Sequence, residues 1–395
     1  MGELTGNRKR LGLRQCLISP RSSASLRWIP KQGEHFLPHI LGVLLISGNI
    51  SVHPHVFPAC CVMKSRCIEI ASFGIPAEVV RLGSRLARHP GDREIQLRTV
   101  CAPINPADLN VMEGTYGTLP ELPAVLGNES IGVVEAVGKE VREWEAGDVA
   151  MPIAPGGLWN EWLTLPEDQA VKLPKGIDLQ QAAMLRVNPP TAWLLLHQYV
   201  RIEPGEWIVQ NAGNSAVGMA VMQLAQARGW RVLNLVRREA AASQCREAGA
   251  EHVLVETEKD FAARAGELMG PAKARLALNA VGGESALRLA NLLRDDGVHV
   301  TYGAMGRQKL SLPNRFLIFQ QLTFTGFWLT RWTRETPLEN QRELYQKLAL
   351  EMISGNLHMP VEKSYPVEEI AAAVTRAQQA ERSGKVQLHW PTISE

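Results

Sequence analysis

Residues 207–230, WIVQNAGNSAVGMAVMQLAQARGW, contain an apolar strand pattern, a turn of small residues and an amphipathic helix pattern, in that order. Backbone N–H groups in such a turn can approach a pyrophosphate, and the helix start adds a positive dipole beside it. Asn214 and Ser215 add side-chain donors or a helix cap. The spacing from Gly213 to Gly218 therefore indicates a nucleotide site, although a tight strand-to-helix turn that merely needs small residues fits it too.

Two arginines, Arg237 and Arg238, follow Gly218 by 19 and 20 residues. Sites that bind NAD place an acid near this position to accept from the ribose hydroxyls, whereas the 2′-phosphate of NADP requires cations. Two guanidinium groups match a phosphate clamp, but paired arginines at a strand end also occur as a solvated edge. The spacing favours NADPH over NADH, and Glu239, directly afterwards, counts mildly against it.

A second stretch, residues 105–130 (NPADLNVMEGTYGTLPELPAVLGNES), holds carboxylates, amides and Tyr116, but neither cysteine nor histidine. Thiolate and imidazole are the ligands that zinc prefers, so this stretch does not predict a zinc site. The six cysteines of the chain form no C-x-x-C pair, and neither a structural zinc nor a disulfide framework is indicated. Beside Pro106, Asn105 and Asp108 are interpreted as turn and capping residues rather than catalysts.

The elements that must position these residues divide the chain of 395 residues into two domains. Strand patterns alternate with helix patterns from residue 207 onward, which predicts a parallel, doubly wound sheet of the Rossmann type. We expect an N-terminal extension at 1–62, a β-rich domain at 63–187, a nucleotide-binding domain at 188–327 and a C-terminal segment at 328–395. The expected strands of the sheet are WIVQNAG, WRVLNLV, EHVLVE, ARLALNAV, GVHVTYG and LTFTGF. Two helical segments are expected around Pro189 and Pro190, and the last residues form a terminal strand, GKVQLHW.

Charge is unevenly spread along the chain. Residues 1–62 contain seven Lys or Arg and two Glu, a net +5, so the remaining residues carry −3 of the total of +2. A mildly acidic body argues against nucleic-acid binding, and no apolar run among residues 1–62 is long enough for a membrane span. These residues are a targeting presequence, a disordered extension, or sequence upstream of a true start at Met63, and we favour the third.

The order of the two domains resembles the medium-chain dehydrogenase/reductase superfamily, which implies a GroES-like catalytic domain before the Rossmann domain. Zinc-dependent members carry a cysteine near residues 105–108 and a Gly-His-Glu motif, whereas this chain has Asn128 in place of that histidine. The chain more closely resembles the zinc-free trans-2-enoyl-thioester reductases, the mitochondrial enoyl-CoA reductases and their bacterial relatives. The motifs that carry this resemblance are APINPADLNVMEGTYGTLPELPAVLGNE, VNPPTAW, QNAGNSAVG, RLALNAVGG, VTYGAM, LIFQQLTFTGFWLTRW and SGKVQL.

The resemblance assigns roles to individual residues. It places the proton-donating tyrosine of the family on Tyr116. It places the cofactor contacts on Asn188, Asn214, Ser215, Ala216, Val217, Arg237, Arg238, Tyr302, Gly303, Ala304, Met305, Phe327, Trp328, Leu329, Thr330 and Lys385. The family's Arg-acid-Arg cluster reads Arg-Arg-Glu here, and Ala216 stands where many members have glycine, which is tolerable only if its backbone φ is not positive.

The activity that the resemblance implies is NADPH-dependent reduction of trans-2-enoyl thioesters, carried on CoA or acyl carrier protein, in fatty-acid synthesis, by a homodimer. Such a reduction adds hydride at the β-carbon and a proton at the α-carbon, and it requires no metal. A tyrosine hydroxyl stays protonated at pH 7 and can donate, although Tyr116 on a Gly-Thr-Tyr-Gly turn could instead be a packed aromatic. We expect a bacterial cytoplasm, with the mitochondrial matrix as the alternative.

Three further interpretations stay open. Phe327, Trp328 and Trp332 fit either a buried strand end or the lining of a cleft between the domains. A zinc-free quinone or alkenal reductase would share the fold and the cofactor. An NADPH-binding sensor or structural protein without significant turnover would share the same site.

Overall fold

The computed structural model describes residues 63–154 and 156–391. The three hypotheses about residues 1–62 concern residues outside these ranges and stay predictions. Within the described ranges, no helix combines the length and the apolar character that a membrane crossing requires.

The first part of the described chain is rich in strands. Its elements are β1 (Met63–Ile70), α1 (Pro76–Val79), β2 (Val80–Ala87), β3 (Glu94–Pro103), α2 (Pro106–Glu113), β4 (Ala124–Val125), β5 (Ile131–Val137), β6 (Val149–Pro152), β7 (Trp162–Pro166), β8 (Ala170–Lys172), α3 (Leu179–Ala182) and α4 (Asn188–His197). A 3-10 turn, Glu167–Gln169, lies between β7 and β8. Pro189 and Pro190 lie in the first turn of α4, where a missing N–H costs little.

The middle part alternates strand and helix, as the sequence predicts. Its elements are β9 (Trp207–Asn211), α5 (Ala216–Gln226), β10 (Arg231–Val236), α6 (Glu239–Glu247), β11 (His252–Val255), α7 (Phe261–Met269), β12 (Ala274–Asn279), α8 (Gly283–Asn291), β13 (Leu293–Thr301), α9 (Arg315–Ile318) and β14 (Thr323–Gly326). The six strands form one sheet in the order β11-β10-β9-β12-β13-β14, and every pairing is parallel. The predicted doubly wound sheet and all six of its strands are confirmed.

The last part of the chain supplies α10 (Leu329–Glu335), α11 (Leu338–Ile353), β15 (Val361–Pro366), a 3-10 turn (Val367–Glu369), α12 (Ile370–Gln378) and β16 (Lys385–His389). β16 pairs antiparallel with β3, where Leu388 lies opposite Ala102. The seven-stranded sheet therefore runs β15-β16-β3-β5-β6-β8, with β7 also on β3, and a smaller sheet runs β2-β1-β4. The exact domain boundaries at 187/188 and 327/328 stay predictions.

The two large sheets share a hydrophobic core. One continuous cluster of buried residues joins Ile131 of β5 to Ile208 of β9 through helix α4. Ala192 and Leu195 of α4 are fully buried, as expected for a helix packed on several sides. This shared core holds the parallel sheet against the β-rich domain, and the candidate site lies along their junction.

Candidate functional site

The turn between β9 and α5 is built for close backbone approach. A Cβ on Gly213 would lie 2.8 Å from Asn234 Cβ, and one on Gly218 would lie 2.6 Å from two backbone carbonyl oxygens. Because no side chain fits at either position, both glycines are required by packing. Ser215 Oγ accepts from the backbone N–H of Gly218 at 3.1 Å and so caps α5. The first helix turn therefore keeps its remaining N–H groups available for an anion.

Ala216, where many members of the family have glycine, begins α5. Positive φ occurs instead at Ala212, at 51°. Ala216 therefore does not have the positive φ that would make an alanine intolerable there, because a helical residue accepts a Cβ without strain. The residue of this turn with a left-handed backbone is Ala212, four positions before Ala216.

An asparagine network fixes the loops that follow β12 and β13. Asn211 Nδ2 donates to Asn279 Oδ1 at 2.8 Å, and Asn279 Nδ2 donates to Thr301 Oγ1 at 3.1 Å. Asn279 Oδ1 also accepts from the backbone N–H of Gly282 at 2.9 Å. These buried amides tie together the carboxyl ends of three parallel strands, the edge at which doubly wound sheets bind nucleotides.

The predicted segment Tyr302–Met305 follows β13 at this same edge. Gly303 cannot carry a side chain, because a Cβ would lie 2.9 Å from the carbonyl oxygen of Ala280. The Tyr302 hydroxyl is buried without a hydrogen-bond partner among the described residues, and burial raises its pKa. An unpartnered buried hydroxyl beside a glycine-lined edge fits a bound cofactor that supplies the missing partner.

Arg237 and Arg238 lie at the carboxyl end of the neighbouring strand β10. Arg237 is exposed, and its carbonyl oxygen accepts from Thr257 Oγ1 at 3.1 Å. Arg238 forms an ion pair with Glu381, a residue far along the chain that the sequence did not indicate. Glu239, the acid that counts mildly against NADPH in the sequence, pairs with Arg246 on α6 at 2.5 Å. Arg237 and Arg238 both lie at this corner of the sheet, and Arg238 is paired there with Glu381.

Tyr116 of the β-rich domain contacts residues that follow β14. Trp328 Nε1 donates to the Tyr116 hydroxyl oxygen at 3.1 Å, and that oxygen lies 3.5 Å from Thr330 Oγ1. The two rings meet edge to face, with centroids 6.2 Å apart. The tyrosine is half-buried, and Trp328 is 37% exposed. Both aromatic rings therefore border open space at the domain junction, and the cleft interpretation is favoured for Trp328.

A second junction centres on Asn105. Its Nδ2 donates to Glu129 Oε1 at 2.6 Å, and its Oδ1 accepts from Asn188 Nδ2 at 3.2 Å and from Lys385 Nζ. Glu129 Oε2 also accepts from the backbone N–H of Val187 at 3.0 Å. All four interacting side chains are buried. The structure thus brings together two predicted cofactor contacts, Asn188 and Lys385, and adds two residues that the sequence did not assign to the site.

Asp108 performs the predicted capping role. Its carboxylate accepts from the backbone N–H of Asn105 at 2.8 Å and from Asn128 Nδ2 at 2.7 Å. Burial raises the pKa of Asp108 to about 6. Burial also raises the pKa of Glu129 and lowers that of Lys385. Asn105 is the N-cap residue of α2, as predicted, and its side chain is also the centre of the network. The sequence signal that could have indicated this network is the GNE motif, which contains Glu129.

Asn128, at the position where the resemblance places a histidine in zinc-dependent members, is held by hydrogen bonds. Asn128 is bound to Asp108, and its carbonyl oxygen accepts from Arg186. Arg186 Nη2 donates further to the carbonyl oxygen of Ala154 at 2.8 Å. Among residues 63–154 and 156–391, no cluster of three His, Cys, Asp or Glu side chains could hold a metal ion. Ammonium, guanidinium, amide and carboxylate groups occupy this region.

Comparison with known proteins agrees with this geometry. Residues 91–175 match the family of alcohol dehydrogenase GroES-like domains, and residues 216–347 match the family of zinc-binding dehydrogenases. A mitochondrial enoyl-[acyl-carrier-protein] reductase from Xenopus tropicalis is 36% identical over 324 residues, which cover 80% of this chain and 93% of the relative.

Three solved structures are similar in fold. The Etr1p/NADP/crotonyl-CoA complex superposes with a TM-score of 0.76 at 26% identity and covers 83% of this chain and 100% of that one. A mitochondrial 2-enoyl thioester reductase Etr1p/Etr2p heterodimer from Candida tropicalis gives 0.75 at 26% identity, with the same coverage. A quinone oxidoreductase from Pseudomonas syringae gives 0.72 at 26% identity, covering 82% and 99%. The chain belongs to the medium-chain dehydrogenase/reductase superfamily and, within it, to the family of the mitochondrial enoyl-[acyl-carrier-protein] reductases, and it is an oxidoreductase.

Proposed function

We propose that this protein uses NADPH to reduce trans-2-enoyl thioesters to saturated acyl thioesters, as a step of fatty-acid synthesis. The observation that carries the proposal is the Tyr116 hydroxyl, which accepts from Trp328 at the domain junction. The enoyl-[acyl-carrier-protein] reductase relatives and the Etr1p complex with NADP and crotonyl-CoA support the substrate class. Either CoA or acyl carrier protein serves as the carrier in this proposal.

The chemistry follows from the groups at the junction. The cofactor, when bound, supplies hydride to the β-carbon of the thioester. Electron density then moves toward the carbonyl, and the α-carbon must receive a proton. Because the Tyr116 oxygen accepts the Trp328 N–H, its own hydroxyl hydrogen can be donated, either to Thr330 Oγ1 at 3.5 Å or to a substrate. The same indole N–H stabilises the tyrosinate that proton donation leaves behind.

The nucleotide corner supports NADPH in particular. Arg237 and Arg238 provide the cations that a 2′-phosphate needs. The turn at Gly213 and the buried Tyr302 hydroxyl fit the remainder of a dinucleotide. We expect Arg238→Ala to weaken NADPH binding about tenfold or more, and NADH binding far less, because only NADPH carries the extra charge.

The decisive experiment follows NADPH absorbance with trans-2-hexenoyl-CoA in the presence of a metal chelator. Tyr116→Phe should lower kcat at least about 100-fold, the low end for a general acid, while NADPH binding persists. Tyr365→Phe is the matched control, because Tyr365 is a tyrosine of β15 packed in a hydrophobic cluster and has no part in the proposed chemistry. Full turnover by Tyr116→Phe would show that Tyr116 is not the proton donor.

A reductase of quinones or alkenals is the second candidate, and the similarity to the quinone oxidoreductase supports it. Quinone reduction adds its protons to oxygen rather than to an α-carbon, so the rate with quinones should be indifferent to Tyr116→Phe, whereas a 2-alkenal also needs a proton at its α-carbon and is distinguished by substrate preference. An NADPH-binding protein without turnover is the third candidate. Tight NADPH binding without oxidation by hexenoyl-CoA or any quinone would favour it.

We also propose that the protein forms a homodimer and acts in the mitochondrial matrix. β14 is the last strand of the parallel sheet, and next to it Leu317, Ile318 and Phe319 are 53%, 63% and 78% exposed. An open strand edge beside three exposed apolar residues supports a homodimer formed there. The relatives are named as mitochondrial proteins, which supports the mitochondrial matrix over the bacterial cytoplasm.

A further inference from the structure

The loop at residues 379–384, which joins α12 to β16, holds a residue in an unusual conformation. Glu381 has a φ of 64°, in the left-handed region. A residue with an ordinary side chain is disfavoured there by steric repulsion of its Cβ and keeps that conformation only when its surroundings hold it. The loop ends at Lys385, which is one of the predicted cofactor contacts.

Both halves of the protein hold this loop. From the β-rich half, Arg376 Nη2 donates to the Glu381 carbonyl oxygen at 3.4 Å, and Ser383 N–H donates to Glu362 Oε2 at 2.8 Å. From the nucleotide-binding half, Gln244 Nε2 donates to the Arg382 carbonyl oxygen at 3.1 Å.

Gln244 also connects the loop to the turn after β9. Its Oε1 accepts from Asn214 Nδ2 at 2.9 Å. The loop is therefore tied by hydrogen bonds to the proposed pyrophosphate turn at one point, and by the chain itself to Lys385 at another.

The side chain of Glu381 completes the arrangement. Its carboxylate pairs with Arg238, the cation that the sequence assigns to the 2′-phosphate. Glu381 is 74% exposed and Arg238 is 36% exposed at the side chain, so solvent and ligand can reach both partners. A carboxylate and a phosphate monoester use the same guanidinium donors. The two anions therefore compete for one site.

We propose that Glu381 is a specificity-determining residue that occupies Arg238 until the 2′-phosphate of the cofactor displaces it. This inference rests on the proposed binding of NADPH at Arg238. Breaking the pair opposes NADPH binding, whereas NADH, which has no 2′-phosphate, leaves the pair intact. Glu381 therefore lowers the preference for NADPH over NADH and weakens the hold on the phosphorylated cofactor.

The test measures equilibrium binding of NADPH and of NADH by calorimetry, without any thioester. Glu381→Gln keeps the size of the side chain and removes its charge. We expect the NADPH Kd to fall about twofold to fivefold, the scale of an exposed ion pair, and the NADH Kd to stay unchanged. In an Arg238→Gln background, Glu381→Gln should have no effect on either Kd, because the Glu381 carboxylate then has no guanidinium to occupy.

Glu203→Gln is the matched control. It removes another exposed carboxylate paired with arginine, Arg201 at 2.7 Å, but before β9, at the opposite end of the strand from the proposed site. An unchanged NADPH Kd in Glu381→Gln, or equal shifts for both cofactors, would overturn the inference while leaving NADPH binding intact. Wild-type protein that binds no NADPH would instead overturn the proposed function, and this inference with it.

Discussion

The indole N–H of Trp328 donates to the hydroxyl oxygen of Tyr116 at 3.1 Å, across the junction between the β-rich domain and the parallel sheet. Tyr116 follows α2, and Trp328 follows β14. A second contact crosses the same junction, where Arg307 Nη2 donates to both carboxylate oxygens of Glu113 at 2.8 and 2.9 Å. The proposed acid is thus held in place by residues of both domains.

Removing the indole donor should slow the proposed reaction without abolishing it. Trp328→Phe keeps an aromatic ring but loses a neutral hydrogen bond, which contributes about 0.5–1.5 kcal/mol. We expect kcat with trans-2-hexenoyl-CoA to fall about twofold to tenfold. Trp332→Phe, one helical turn later on α10, is the control. Equal losses in both variants would point to packing rather than to the hydrogen bond.

The Asn105 network should contribute to stability before any ligand binds. Asn105→Ala leaves Glu129 and Lys385 buried without the amide that joins them. We expect the free energy of unfolding in urea to fall by about 2–4 kcal/mol. Asn110→Ala changes a half-buried asparagine of α2 and serves as the control. A loss no larger than that of Asn110→Ala would mean that the lysine and the carboxylate pair directly without the amide.

His299 should make the stability depend on pH. It is fully buried on β13 and packs against Phe324, with ring centroids 5.0 Å apart. Burial lowers its pKa to about 4, below the value of about 6.5 in an unfolded chain. Between these values the unfolded state binds more protons, so stability is fully present above about pH 6.5 and is lost as the pH falls.

The two pKa values of His299 set the size of that effect at about 3 kcal/mol. His299→Leu should therefore flatten the pH profile of urea unfolding between about pH 4 and 6.5. His358→Gln, at an exposed position, should leave the slope as in the wild type. A slope in His299→Leu equal to that of the wild type would assign the pH dependence to other groups.

The edge of β14 should determine the oligomeric state. Phe319→Glu introduces a charge at a 78% exposed apolar position beside that strand, and we expect the proposed dimer to dissociate in sedimentation velocity. Leu86→Glu is matched in exposure, at 75%, but lies on β2 of the small sheet. A dimer that tolerates Phe319→Glu would have its interface elsewhere.

The parallel sheet was predictable because its strands are buried on both faces and therefore form apolar runs. WIVQN of β9, for example, is buried along its whole length. β15 was not predicted, because its sequence VEKSYP has two adjacent charged residues and no apolar alternation, and only Tyr365 is buried. Its partner β16 supplies the context that a local pattern lacks.

The candidate site was predictable where it depends on local sequence and on the resemblance. The turn at Gly213 is an example of the first kind, and Tyr116 of the second. Contacts between distant residues were not predictable. Glu381 reaches Arg238 across 143 positions, and Asn105 meets Lys385 across 280. No spacing rule connects such residues, because only the tertiary fold brings them together.

The pairing of β16 with β3 has a consequence for biosynthesis. All six strands of the parallel sheet lie between Trp207 and Gly326, so the ribosome can release that sheet as one continuous stretch. The sheet of the β-rich domain must wait for Lys385–His389, near the very end of translation, before the end of β3 at residues 101–103 gains β16 as its partner. Domains generally fold as units during synthesis. The β-rich domain begins first along the chain and is therefore completed last. A nascent chain stalled shortly before residue 385 has a complete parallel sheet, while its β3 strand still lacks β16.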